Sequence, residues 1–565
     1  MASGGFPTTY KYRPLESDRH IRLLQILTNS DDDKSQMELP NEDAQLEFEA
    51  ISYTWGKPDR DLIGLTENLS QALPHLCHHS STKLLWIDQL CINQIDLAEK
   101  SKQILLMSQI YKSARRVLIW LGPADENSRL CKQFLDAAAK MIQGMPNSDR
   151  MTPGMRSTFI SPGTDPIYAP AIRNFWSRPW FSRGWVVQEL LRAQTPSFLA
   201  GDVEMNMQDL ADLQTIPPAH QPGEAEQTWY SYNILMNLKL HAFTDEQPLR
   251  FLRVMYQVSQ EFLTLELADQ LYAFLGMLEG SSFTPDYSVS TKANFTRFAA
   301  SLADDFGSLD FLSLWSANLD ELLPNTPQEL KGFPSWVPSW SATPLSAPFR
   351  FATGGVRSLR GEITWNAADG RQHVHLETQN GDAATTGRLV VKGKIIGFIE
   401  TLSSARFHLY EDPPNEYLDG LVTQLKQDLP GLEEWTTKDM IAFLNVVASN
   451  VLGLKPKPLF NEVANLSRYN EALATCLSTG RGRRFIRMRD GRLGLGPYIG
   501  TKARGEEKNG SPVVVIHGCS VPIVLDVVSE ERNEYTVVGD AYVEGIMHGE
   551  AVLWAEEDAN TFVLV

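Results

Sequence analysis

Cysteine is scarce in this 565-residue chain. Its five thiols, Cys77, Cys91, Cys131, Cys476 and Cys519, show no C-x-x-C spacing. That excludes a disulfide framework or a zinc-ribbon type of site and fits a reducing compartment. No uninterrupted apolar run approaches the roughly 18–20 residues a membrane helix needs. The opening stretch "MASGGFPTTYKYRPLESD" lacks the apolar core of a secretory signal. The expectation is a cytoplasmic protein without a membrane span, so Asn-x-Ser/Thr matches such as those at Asn68, Asn294 and Asn465 are read as chance. Basic charge is short too. With 51 Lys and Arg against 69 Asp and Glu the net charge is −18, which denies the chain the basic footprint that nucleic acid or anionic lipid requires. A small anionic ligand in a local basic pocket stays compatible with that balance. Neither a P-loop nor a G-x-S-x-G elbow occurs, and "GRLGLGP" is not the dinucleotide fingerprint but reads as tight turns between strands. "CHHS" (Cys77–Ser80) and "HVH" (His373–His375) lack a second ligand pair, so no metal site is expected.

What the chain does have is an ordinary globular mix, 43% hydrophobic and 21% charged, over a length that demands several cores. Residues 1–204 alternate strand-like and helix-like segments. "HIRLLQIL", "FEAISYTW", "KLLWIDQLCI", "RRVLIWLGP" and "PSFLAG" read as strands. "TENLSQALPHL", with Thr66 as cap and Pro74 set to bend or end it, "DLAEKSKQILLMSQIYKSA" and "SRLCKQFLDAAAKMIQG" read as helices. Strands separated by such helices imply βαβ units and a parallel sheet, with ligands bound beyond the carboxyl ends of the strands. Residues 205–345 carry apolar spacings of three and four, a mainly helical middle domain. Residues 346–565 read as a mixed α+β domain rich in short strands, with "GRLVVKGKIIGFIE" as a strand pair.

Three blocks, "AISYTWG", "LWIDQLCINQ…QILLMSQIYKSARRVLIWLGP" and "RGWVVQELL", resemble in this order the fungal heterokaryon-incompatibility (HET) domain. "ADQLYAFLGML", "PDYS", "FPSWVPSWS", "RLGLGP" and "VVGDAYVEGIMHGEAV" resemble downstream blocks of long members of that family. The segment between Gly56 and Thr66 is shorter than the usual pattern, and Gln89 stands where a small residue is more usual. The resemblance implies a role in self/non-self recognition ending in programmed cell death, with protein partners and possible self-assembly. It also implies distant similarity to TIR domains, hence a flavodoxin-like parallel sheet. Some TIR domains cleave NAD through a glutamate four residues after a tryptophan-like anchor, and "WVVQEL" reproduces that spacing with Trp185 and Glu189.

Positions four apart share a helix face, with Cβ atoms roughly 5–6 Å apart, so Trp185 and Glu189 would meet one ligand or one wall of packing. Cleaving a nicotinamide–ribose bond releases a neutral ring and needs no general acid, unlike a sugar–sugar bond. One carboxylate beside the oxocarbenium-like ribose, sheltered from water, is the minimum. The candidate catalytic residue is therefore Glu189. Tyr53, Trp55 and Trp86 are candidates to stack on the cationic ring, Asp88 to bind ribose hydroxyls, and Lys57, Arg60, Arg178 and Arg183 to hold the diphosphate. NAD enters as substrate; no resident cofactor is expected. A second reading stays open, in which Glu189 pairs with Arg183 or Arg192, Asp88 caps a loop, and the tryptophans fill a packed junction. Cys91, with no histidine in its block, is not expected to be a nucleophile.

Overall fold

The computed structural model describes residues 11–26, 47–56, 65–143, 167–214, 247–258, 266–314, 332–338, 383–406, 414–429, 431–436, 482–497, 510–552 and 558–565, with isolated positions between them. The chain divides into two compact units: residues 1–242, 257–277 and 284–288 in the first, residues 243–256, 278–283 and 289–565 in the second.

The first unit is built on six strands, β1 (Leu24–Gln25), β2 (Glu49–Tyr53), β3 (Leu84–Trp86), β4 (Arg116–Trp120), β5 (Pro196–Ala200) and β6 (Val203–Asn206), in the order β1-β3-β2-β4-β5-β6. The four central strands are mutually parallel. All five residues of β2 and of β5 are buried, as expected of strands covered on both faces. The edges depart from a purely parallel sheet, because β1 and β6 pair antiparallel. For β6 the reason is local. Only Gly201 and Asp202 separate it from β5, Gly201 sits at φ +57°, and so short a connection can join only antiparallel neighbours. "HIRLLQIL" yields only the two residues of β1 as strand.

The helices as far as residue 275 are α1 (Glu67–His79), α2 (Asp88–Cys91), α3 (Leu97–Ser113), α4 (Glu126–Gln143), α5 (Tyr168–Trp176), α6 (Val186–Arg192), α7 (Met207–Gln214), α8 (Leu249–Val258) and α9 (Asp269–Leu275), all of the first unit except α8, which belongs to the second apart from its last two residues. Thr66 caps α1 by accepting from the Leu69 amide at 3.4 Å. Pro74 does not stop this helix, which continues to His79. The proline removes one backbone bond, while Leu69, Ala72 and Leu76 pack into a core with Ile51, Leu118 and Leu199, and that burial offsets the loss. Asp96 caps α3, accepting from the amides of Ala98 at 3.1 Å and Glu99 at 3.0 Å. Asp96→Ala should therefore cost about 1 kcal/mol, read as a lower urea midpoint with an unchanged slope.

The second unit carries β7 (Leu389–Arg406), β8 (Arg483–Met488), β9 (Leu493–Pro497), β10 (Pro512–Ile516), β11 (Ile523–Ser529), β12 (Glu534–Asp540), β13 (Tyr542–Val543) and β14 (Asn560–Leu564). The pairings β7–β10, β10–β11, β11–β12, β12–β14 and β14–β7 close on themselves, giving a barrel-like sheet that removes its own edges. What reads as a strand pair at "GRLVVKGKIIGFIE" is one 18-residue strand. Its first part pairs with β14 and β10 and its second with β8. Gly393 is no turn residue: a Cβ there would lie 2.5 Å from the Val515 carbonyl oxygen, so glycine permits the close crossing. "LGLGP" is likewise strand β9, not a run of turns. The fully buried Arg483 pairs with Asp540 at 2.5 Å inside this unit. No described helix of the chain is long and apolar enough to cross a membrane.

Candidate functional site

The carboxyl ends of β2 and β3 lie side by side in the first unit, and the polar groups there converge on one guanidinium. Arg183, just after a 3-10 turn at Pro179–Ser182, donates to the Tyr53 carbonyl at the end of β2. Its side chain stands 3.8 Å from Glu189 Oε1 and 3.8 Å from Asp88 Oδ2. Glu189 reaches the sheet from α6 and accepts a short hydrogen bond through Oε2 from the Ser52 hydroxyl. Ser52 accepts in turn from the Trp180 indole at 2.8 Å. Asp88 starts α2, where Oδ1 accepts from the Gln89 amide at 2.7 Å and Oδ2 from the Trp55 indole at 2.8 Å. The Tyr53 hydroxyl donates to Gln89 Oε1 at 2.9 Å. Behind them Tyr111 donates to the Ile51 carbonyl at 3.0 Å.

Two carboxyls thus share one cation in a nearly dry place, since Glu189 is 1% exposed and Asp88 6%. Burial pushes the Glu189 carboxyl up from 4.5 to about 7, against the pull of Arg183 and of the Ser52 hydroxyl, while Asp88 adds to the rise. Burial also raises Asp88, opposed by Arg183, Trp55 and the Gln89 amide. Glu189 Oε1 accepts no hydrogen bond from any described residue. A carboxyl so placed exchanges its proton near neutrality, the property a catalytic carboxyl needs.

Tyr53, Trp55, Asp88, Arg183 and Glu189 come together here. Trp86 lies at the end of β3, fully buried and edge-on to Tyr111 at 5.5 Å; it is core packing behind the polar cluster. Trp185 precedes α6 and sends its indole to Asp269 at 3.2 Å, whereas Glu189 four residues on turns to β2. Arg178 is bound to the Leu121 carbonyl at 2.7 Å, to Asp125 at 3.1 Å and to Ser128 at 2.7 Å. Lys57 and Arg60 lie outside the described residues. Burial pushes the Cys91 thiol up to about 12, which suits a packed sulfur, not a nucleophile. Among the described residues no group of three or more His, Cys, Asp or Glu is placed to hold a metal ion. Ser52, Gln89, Tyr111 and Trp180 join the cluster, although none of them is among the candidate site residues of the sequence. Ser52 had one signal, a polar residue within the otherwise apolar run Ala50–Tyr53 of β2.

Comparison with known proteins agrees with this architecture. The profile of the heterokaryon incompatibility protein (HET) family matches residues 48–189, and that of the Het-6 beta-barrel domain matches residues 421–565. Heterokaryon incompatibility protein 6, OR allele, of Neurospora crassa is 24% identical, over 90% of this chain and 90% of its own. No solved structure matches the chain. A HET domain bearing the Glu189 cluster, a Het-6 barrel and a relative collinear over nearly the whole length together place the chain in the fungal heterokaryon-incompatibility (HET) protein family.

Proposed function

We propose that the chain is an effector of heterokaryon incompatibility whose N-terminal unit is TIR-like, cleaves NAD at the nicotinamide–ribose bond and so leads to programmed cell death. The observation that carries this reading is the Glu189 carboxyl, buried at the carboxyl end of parallel strands, proton-exchanging near neutrality, with Oε1 accepting no hydrogen bond from a described residue. Support for the TIR-like part comes from the order of the four parallel strands. Numbered along the chain they run second, first, third, fourth, which is the flavodoxin-like order, and ligands of such sheets bind at the carboxyl ends.

In the reaction the ribose–nitrogen bond breaks with its electron pair passing to the pyridinium ring, and neutral nicotinamide leaves. The ionised Glu189 stabilises the positive ribose and takes the proton that the adding water gives up, passing it on to solvent. Trp55, only part-buried, offers a face for the cationic ring, whereas Tyr53 at 1% exposure packs into the core; Asp88 offers acceptors for ribose hydroxyls. Incubating the purified protein with NAD should release nicotinamide, and Glu189→Ala should lower the rate at least a hundredfold. An unchanged rate in that variant would remove the role of Glu189.

One observation favours a second reading, assembly with a partner and no catalysis. At 1% exposure Glu189 offers almost no surface to a substrate in this conformation. On that reading Glu189→Gln keeps the incompatibility response, and charge reversal on an exposed face abolishes it.

A further inference from the structure

The HET-family match ends at residue 189, part-way along the helix that carries the candidate carboxyl. That helix, α6, has seven residues and no side-chain cap at its N-terminus, and a helix so short does not hold itself together in water. Besides its packing on α3, it has supports further along the chain, in the blocks "ADQLYAFLGML" and "PDYS" that the proposed chemistry leaves unused. At one end of α6 the Trp185 indole donates to Asp269 Oδ2 at 3.2 Å. At the other end Arg192 Nε donates to the Gly276 carbonyl at 3.1 Å, and Ser108 of α3 donates to the same oxygen at 2.7 Å. Asp269 opens α9 and Gly276 follows its last residue. The eight residues from 185 to 192 are therefore matched in the same direction by the eight from 269 to 276. Between the two anchors, a Cβ at Gly276 would fall 2.6 Å from Gln188 Oε1, so glycine lets the segments meet.

Asp269 is itself fixed from behind. The Tyr287 hydroxyl donates to Oδ1 at 2.6 Å, and the Lys100 ammonium stands 4.1 Å from the centre of the Tyr287 ring. The Tyr287 amide donates to Ser101 at 3.5 Å, and the Tyr272 ring packs edge-on against Tyr287 at 5.1 Å. Asp269 is 8% exposed, so its two side-chain bonds are not traded freely for water.

We propose that Asp269, seated by Tyr287, is a positioning residue for α6: it sets the helix, and through it the carboxyl that Ser52 and Arg183 receive. The catalytic consequence rests on the NAD reading above; the mechanical one does not. In the full chain, Asp269→Ala should speed amide hydrogen exchange at residues 190–193 about tenfold, the scale of losing a charge-assisted hydrogen bond. Amides of β4 and β5 should keep their wild-type rates. Asp269→Asn, which still accepts from the indole, should exchange like wild type. Nicotinamide release should fall in kcat with KM unchanged in Asp269→Ala and return in Asp269→Asn. Should Asp269→Ala fail to fold, Trp185→Phe, which removes only the indole N–H, is judged by the same limits. Exchange at 190–193 within threefold of wild type in the alanine variant, or an equal acceleration in Asp269→Asn, overturns the proposal. A wild-type protein that releases no nicotinamide defeats the NAD reading alone, and the exchange rates still decide the role of Asp269.

Discussion

Arg183→Met should destabilise the first unit by about 3 kcal/mol at pH 8, the scale expected when one partner of a buried ionic cluster is removed. Among the described residues the arginine is the one cation set between Asp88 and Glu189, at 3.8 Å from each. Without it two nearly dry carboxyls face each other, and the Tyr53 carbonyl loses its guanidinium donor. The cost should shrink at pH 5.5, where the carboxyls escape by taking up protons. Adding Glu189→Gln should recover part of the loss at pH 8, because one of the stranded charges is gone. Urea unfolding of the four proteins in this double-mutant cycle measures the coupling. A single variant as stable as wild type at pH 8 would mean that the guanidinium does not neutralise the cluster.

That cluster also shows how far a linear reading reaches. Short, mostly apolar runs between helices were legible as strands, since β2, β4 and β5 are buried along nearly their whole length. Asp88, Arg183 and Glu189 were legible as candidates because a charge beside tryptophans and strand ends is unusual. Their mutual arrangement was not. The Ser52–Glu189 bond joins residues 137 positions apart, and no local spacing encodes it. Nor did the i,i+4 relation of Trp185 to Glu189 show that their polar groups go to different partners, Asp269 and Ser52. In the second unit, β7 runs through two glycines that look like turn residues. Closure of the barrel decides their conformation, because Gly393 must let the β10 backbone approach. Pro74 illustrates the same override in a helix, where packing of one face outweighs a missing amide.

Because its carboxyl keeps a proton up to about pH 7 in the folded chain and gives it up near 4.5 when unfolded, Glu189 should make the first unit less stable as pH rises. Between those values the folded state binds more protons, so the contribution is complete below pH 4.5, declines through the interval and is gone above 7. At about 1.4 kcal/mol per pH unit the interval is worth roughly 3 kcal/mol, and the raised Asp88 works in the same direction. Other groups of the chain add their own pH dependence to both proteins, so the informative quantity is the difference between them. Glu189→Gln carries no proton to lose and still presents an amide oxygen to Ser52. Its stability should therefore overtake that of wild type as pH climbs from 5 to 8, by about 2–3 kcal/mol over the range. Urea unfolding followed by tryptophan fluorescence at half-unit pH steps gives both curves. Parallel curves would show that Glu189 is ionised throughout, with Arg183 and Ser52 outweighing burial. The carboxyl would then be a permanent structural anion and could not exchange a proton near neutrality.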